Sequence, residues 1–547
     1  LKPWLAKLPS FLRKSAFNPA LTCYGTGESA HWPTQSNCNV FAALAVLGTA
    51  PDLDDGALPM KRDEILATSI ELLRYAMATH LTGHDLASDG RQWGHHWISV
   101  LGLERMAHGV NAIRDLLTEQ DRDNLKRMMI SESDWLLEFY PVEAGLIGSS
   151  GKNKPESNIW NGGMLLRTAL DVTARRFPSI AVRLRRGMFW YYLEQIPHPP
   201  AIQEEKSCPL AHAPFHEVRR CAFRVLVYHN RFAVEFFHAL TDGTGALIFV
   251  KTLLAEYLSQ KYGLRIPAEK GVLGRLEEPD EAELEDSFLR YAGDVKASRR
   301  EATAWHLSGT PEKDGFKNLV TLMVSADKLK ACARAHGVTV TELLCAAMMQ
   351  AICRLQAEKV PQRRLRKPVK VLLPVNLRNL FPSRTLRNFA SYITPEINPR
   401  MGDYTFDEIC AAVHHRMGLE NNPQTMRAKF AANVASERSP ILRVMPLFIK
   451  NIAMKAVFDT VGECKSCLCL SNLGVVQLPE VMVPYVARMD FIIGVQAKAP
   501  HDCGVLTWGN TVYINCIRSI REPELELRFY EVLHQLGLPV RVESNQR

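Results

Sequence analysis

The sequence predicts two parts of different class, an all-α part over residues 1–168 and an α/β part over residues 169–547. Three observations carry this. In the first part apolar residues recur at helical spacing, and no strand-like alternation of any length appears. In the second, short β-branched and aromatic runs alternate with helical segments. The chain has 547 residues, more than one domain of about 150 residues needs. Hydrophobic residues at 47% and charged residues at 23% exclude a mostly disordered chain.

The elements follow in order. Lys61–Leu81 places Ile65, Leu66, Leu72, Leu73 and Ala76 on one helical stripe with Asp63 and Glu64 early. Trp97–Leu117 and Asp121–Tyr140 repeat the pattern. Gly145–Asn158, rich in Gly, Ser, Lys and Asn, reads as a loop. Leu170–Leu184 reads as a helix interrupted by Pro178. Phe223–Tyr228 and Arg231–His238 are β-rich runs around His229-Asn230, the pattern of a two-residue hairpin. Gly245–Tyr262 is helical. Thr339-Val-Thr-Glu342 is a capping box ahead of a helix reaching about Leu355. Val369–Pro374 and Thr511–Ile517 read as strands, and Pro523–Leu536 as a closing helix.

The net charge of +8 is spread over the chain. Its basic runs, Arg183–Arg186 and Arg363–Lys367, are too short to make nucleic acid the expected partner. They read as solvated surface or as a patch for a phosphorylated ligand. No run reaches about 18 uncharged apolar residues, so no transmembrane segment is expected. Thirteen cysteines without framework spacing and no visible secretory signal predict free thiols and a cytoplasmic protein. Cys464-Lys-Ser-Cys467-Leu-Cys469 lacks a second ligand pair at zinc spacing, so strand alternation is the expectation and no metal is assigned. Neither Gly243 nor Gly474 lies in a phosphate-cradling motif.

One motif carries chemistry. The second hairpin strand ends in Phe236-Phe237-His238-Ala-Leu-Thr-Asp242-Gly243, and a helix follows. Gly243 permits the turn. Asp242 is placed either to fix the loop through a salt bridge or to cap the helix. His238 is then free to act as general base near neutral pH.

The His238-x-x-x-Asp242-Gly243 motif resembles the active-site motif of the chloramphenicol acetyltransferase-like superfamily. That superfamily holds alcohol acetyltransferases, plant acyl-CoA-dependent acyltransferases and peptide-synthetase condensation domains. Arg175–Arg186, Leu373-Pro-Val-Asn-Leu-Arg378, Leu386-Arg-Asn-Phe389 and Ser471-Asn-Leu-Gly474 are similar, in order, to the bacterial alcohol acetyltransferase-like branch. The resemblance implies two α/β lobes over residues 169–547, with His238 in a tunnel between them. Acyl-CoA enters as co-substrate from one side and a small alcohol or amine from the other, with no bound cofactor and no acyl-enzyme. It further implies structural roles for Asp242, Gly243, Asn376 and Arg378, the last as partner of Asp242. Ser471, Asn472 and Gly474 stand either at an oxyanion or in the tunnel wall. A condensation-like domain using a carrier-protein thioester is the alternative donor reading, and oligomeric state stays open.

Residues 1–168 carry six of the nine Trp and six of the seventeen His. Tyr24-Gly-Thr-Gly27, His31-Trp32, Gln35-Ser-Asn37 and Glu156–Gly162 look like part of the α/α toroid of heparinase II/III-like proteins. This implies a partial toroid and an alternative function, a polysaccharide lyase-like or sugar-binding protein, with His95, His96 or Asn158 as a candidate base.

Overall fold

Residues 2–51, 56, 58–139, 155–205, 208–211, 215–295, 302–458, 465–496 and 498–545 are described by the computed structural model. They fall into two units, 1–162 and 163–547.

The first unit is built on α1 (His31–Thr49), α2 (Arg62–Thr79), α3 (Trp97–Ile113) and α4 (Glu119–Phe139). Phe41 and Leu44 of α1, Leu72 and Leu73 of α2, Met106 of α3 and Met128 of α4 share one buried core. Asp63 and Glu64 sit in the first turn of α2, where the helix dipole favours carboxylates. Arg74 grips Asp121 through two hydrogen bonds of 2.8 and 2.9 Å, joining α2 to the start of α4. Alongside the helices lies an antiparallel ribbon, β1 (Leu12–Lys14) with β2 (Thr22–Tyr24), paired Arg13 to Cys23. The expectation of a purely α unit misses this ribbon, because three-residue strands are too short to show alternation.

A helix α5 (Pro155–Arg176) crosses the unit boundary. Two expectations are corrected here. Residues 155–158 form its first turn rather than the end of a loop, while 145–154 lie outside the described residues. The helix expected to run through Pro178 ends at Arg176, and β3 (Val182–Arg186) starts instead. Proline disfavours helical backbone in the residue before it and cannot donate to the preceding turn.

In the second unit β3 pairs with β4 (Tyr191–Gln195), and β5 (Gln203–Glu204), β6 (Phe223–Tyr228) and β7 (Arg231–Phe236) form a three-stranded sheet. The β6–β7 hairpin closes on Tyr228–Arg231, with His229 at φ 49°, the sign that such two-residue turns require. Next comes α6 (Gly243–Tyr262), stopped by Gly263 at φ 64°. Phe249 of α6 meets Phe177, Phe223 and Phe236 edge-on at 5.1–5.6 Å, which knits α5, the hairpin and α6 into one layer.

A large mixed sheet forms the other layer, in the order β10-β9-β12-β13-β14-β8-β15. Its strands are β8 (Asn318–Ser325), β9 (Val369–Asn376), β10 (Ala390–Ile393), β12 (Leu468–Val475), β13 (His501–Trp508), β14 (Thr511–Arg518) and β15 (Val540–Ser544), with β11 (Glu396–Ile397) beside β9. β12 runs parallel to both β9 and β13, and the other pairings are antiparallel. Helices α7 (Ala326–Ala335), α8 (Val340–Lys359), α9 (Phe406–Glu420), α10 (Pro423–Arg438), α11 (Leu447–Val457) and α12 (Glu524–Gln535) complete the unit. The largest core lies between this sheet and α8, α9 and α12. Thr339 caps α8 through the expected box: Thr339 N–H donates to Glu342 Oε2 at 2.7 Å, and Glu342 N–H to Thr339 Oγ1 at 3.3 Å. Among the described residues no single helix is long and apolar enough to cross a membrane.

Close approach of α1 and α3 depends on Gly109, where a Cβ would sit 2.7 Å from Ala42 Cα and 2.9 Å from the Phe41 ring. Gly109→Val is expected to destabilise the protein by about 1–3 kcal/mol, read as a lowered midpoint in urea unfolding.

Candidate functional site

The chain leaves β7 with Phe237 N–H donating to Ala222 O and Leu240 N–H donating to Phe237 O, both at 2.9 Å. This turn presents His238 to solvent. The Asn388 side-chain nitrogen lies 3.4 Å from both His238 Nδ1 and His238 O. Nε2 makes no hydrogen bond among the described residues.

Asp242, four residues on, is buried and has no capacity left for chemistry. Its Oδ1 accepts the Thr244 and Gly245 N–H groups at 3.1 Å each, capping α6. Its Oδ2 accepts Arg378 Nη1 at 2.7 Å and Phe389 N–H at 2.8 Å. Both roles open to Asp242 from the sequence, loop-fixing salt bridge and helix cap, are therefore filled at once.

Arg378 spends its remaining donors on the Thr385 carbonyl at 2.8 Å, the Arg387 carbonyl at 2.6 Å and Asn376 Oδ1 at 3.1 Å. Asn376, at the end of β9, also accepts Arg378 N–H and donates to Thr244 Oγ1, both at 3.1 Å. Thr241 Oγ1 donates to Leu386 O at 2.7 Å. The turn after β7 is thus bolted to the segment after β9. Two glycines make the fit possible. A Cβ on Gly245 would sit 2.2 Å from Thr241 Oγ1, and one on Gly243 2.6 Å from Leu473 Cδ2.

Leu473 belongs to the Ser471–Gly474 segment of β12, so that segment abuts the start of α6. Asn472 donates to Thr341 Oγ1 at 2.9 Å and accepts Gly474 N–H at 2.8 Å. Gly474 has φ 76°, and the β12–β13 register shifts between Asn472 and Val475. Both polar atoms of Asn472 are therefore engaged in shaping the strand end. Ser471 pairs with Gly504 in the sheet, and its hydroxyl makes no hydrogen bond among the described residues.

Sequence reasoning quoted Asn388 and Phe389 within a motif without giving either a role. Their positions beside His238 and Asp242 arise from tertiary contact, and the Leu386–Phe389 run was the available signal. The twelve described cysteines are free. Burial pushes the Cys467 thiol up to about 12, away from thiolate, and Cys464 lies outside the described residues. No cluster of three or more metal-ligating side chains occurs among the described residues.

In the first unit His96 caps α3, its ring accepting Ile98 N–H at 3.3 Å. His95, at φ 52°, stacks on Trp135 at 5.5 Å and meets Ser131 Oγ at 3.0 Å. Asn158 lies in α5, its side chain outside the described residues. A pair not read from sequence stands beside them: Glu132 and His80, both buried, meet at 2.9 Å. Burial pushes the Glu132 carboxyl up, but hydrogen bonds from His80, Ser99 and the His95 N–H outweigh this and hold it below its ordinary value.

Two predictions follow from these networks. Asp242→Asn and Arg378→Met are each expected to destabilise the protein by about 3–5 kcal/mol, and the double variant by less than their sum in a urea-unfolding cycle. A carboxyl depressed by folding stabilises above its unfolded value and loses that contribution as pH falls through the folded one. Thermal melts from pH 7 to pH 3 should therefore show an acid loss of stability below about pH 4.5 that is smaller in Glu132→Gln.

No family model and no curated protein matches the chain. Similar solved structures include TRI101 of F. sporotrichioides complexed with coenzyme A and T-2, at 10% identity and TM-score 0.48, covering 70% of this chain and 92% of that one. The trichothecene 15-O-acetyltransferase TRI3 of Fusarium sporotrichioides has 13% identity and TM-score 0.42, covering 69% and 86%. A condensation domain acting in chain release from the enacyloxin polyketide synthase has 11% identity and TM-score 0.39, covering 68% and 75%. At these scores the functional reading rests on the side chains.

Proposed function

We propose that the protein is an acyltransferase that moves an acyl group from acyl-CoA to a small alcohol or amine, with His238 as the general base and residues 169–547 as the catalytic domain. The observation that carries this reading is the division of labour in the His238–Gly243 turn. Asp242 is consumed by the helix cap and by Arg378, so the one titratable side chain of the turn offered to solvent is His238.

His238 Nε2 takes the proton of the acceptor as its oxygen or nitrogen attacks the thioester carbonyl. A C–O or C–N bond forms and the carbonyl becomes a tetrahedral oxyanion. Collapse breaks the C–S bond, and the imidazolium returns its proton to the CoA thiolate. Both substrates meet in one complex, so rate comes from positioning and base strength. The Ser471 hydroxyl is the available donor for the oxyanion; Asn472 shapes the strand that carries it.

Asn388 positions the base. Its Oδ1 is buried without a partner while its nitrogen faces His238 Nδ1. Turning the amide exchanges the two ends. Oδ1 then accepts a hydrogen bond from the Nδ1–H, in place of the amide's donation to His238 O, and the lone pair is left on Nε2, where a base needs it.

The test is thiol release from acetyl-CoA with a panel of alcohols and amines. His238→Ala is expected to lower the rate about 10²–10⁴-fold, and Asn388→Ala to lower it less while moving the pH profile. Acceptor-independent release, or release that survives His238→Ala, overturns the reading. A carrier-bound phosphopantetheine thioester presents the same carbonyl to His238, so the donor panel includes one.

A further inference from the structure

Residues 439–458 contain no Asp or Glu, and Arg443, Lys450 and Lys455 stand among isoleucines, valines and phenylalanines. Ile441 and Val444 lie three apart on a short helix, Pro440–Val444, and Phe448 and Ile452 lie four apart on α11, which starts after a break at Pro446; they are 71%, 71%, 60% and 71% exposed. Single exposed apolar residues are ordinary on a soluble surface, but several gathered on one short stretch of chain mark an interaction site.

This stretch is fixed to a second exposed element, the turn between β3 and β4. Leu447 N–H donates to Met188 O at 3.1 Å, and Lys450 Nζ to Phe189 O at 2.7 Å. The same ammonium sits 3.3 Å from the centre of the Trp190 ring, and Asn451 donates to Tyr191 OH at 3.1 Å. Turn and helix therefore present one surface, to which the turn adds exposed Met188 and Trp190.

We propose that this surface docks on an anionic phospholipid bilayer. Trp and Tyr rings favour the headgroup region of a membrane, where one end is apolar and the other wet. A helix with exposed apolar residues and nearby cations lies in that plane, and anionic lipids attract the cations. Arg443 and Lys455 are exposed on this segment, and Arg438, the last residue of α10, is exposed just before it beside Glu437. Charge also separates this partner from a second copy of the chain. An isologous contact would set these cations against their own images with no carboxylate from 439–458 between them. The proposal does not rest on the acyltransferase reading.

Co-sedimentation of the full chain with vesicles tests it, comparing phosphatidylcholine alone with phosphatidylcholine containing about one-third phosphatidylserine. Binding is expected to the anionic vesicles and to weaken as salt is raised. Phe448→Glu with Ile452→Glu should weaken it about tenfold or more, and so should Arg438→Glu with Arg443→Glu, which leaves the apolar residues intact. Both variants change exposed side chains, so their melts and vesicle-free thiol release should match the parent. Failure to bind anionic vesicles, equal binding to neutral ones, or parent-like binding by both variants overturns the proposal. So does a dimer in sedimentation equilibrium that the Phe448–Ile452 variant turns into a monomer. Vesicle binding needs no turnover, so its failure is distinguishable from failure of the proposed reaction.

Discussion

The buried pair of Asp242 and Arg378 is the constraint on which the second unit depends. Removing two charges from water is costly, and the cost is recovered only where every remaining lone pair and proton finds a partner. Here that condition is met by the first turn of α6, the Phe389 N–H, two carbonyls after β9 and the Asn376 amide. One carboxylate thereby fixes where a helix begins, where a strand ends and how the two sheet systems lie at that point. Close contacts at Gly243 and Gly245 follow from the same demand, since the charges meet only if the backbones come that near.

In the proposed reaction such rigidity has a chemical use. A general base works when its ring is held against the reacting proton without being consumed by its own support. The turn achieves this by giving the structural work to Asp242 and leaving His238 with one weak neighbour, Asn388. The Ser471–Gly474 segment reaches the same helix start through Leu473.

Much of this was legible locally. Alternating β-branched residues around His229-Asn230 dictate a hairpin, and Thr339 with Glu342 dictates the start of α8, because both signals lie within a few residues. The Asp242–Arg378 partnership came only from family resemblance: 136 residues separate the two, and no periodicity encodes their meeting. Glu132 with His80, and Asn388 with His238, were illegible for the same reason. The β1–β2 ribbon was too short to register. Where the polar run before α5 read as loop throughout, its last residues joined a helix, because context after Pro155 outweighed local composition.

The parallel placement of β12 between β9 and β13 bears on how the protein is made. Parallel neighbours cannot be joined by a tight turn. β9 ends at Asn376 and β12 starts at Leu468, so a long stretch of chain must be organised before the two can pair. Contacts that distant are slow to form, because chain entropy must be spent before they repay it. The strand carrying Ser471 therefore pairs with β9 only by a contact of long sequence separation.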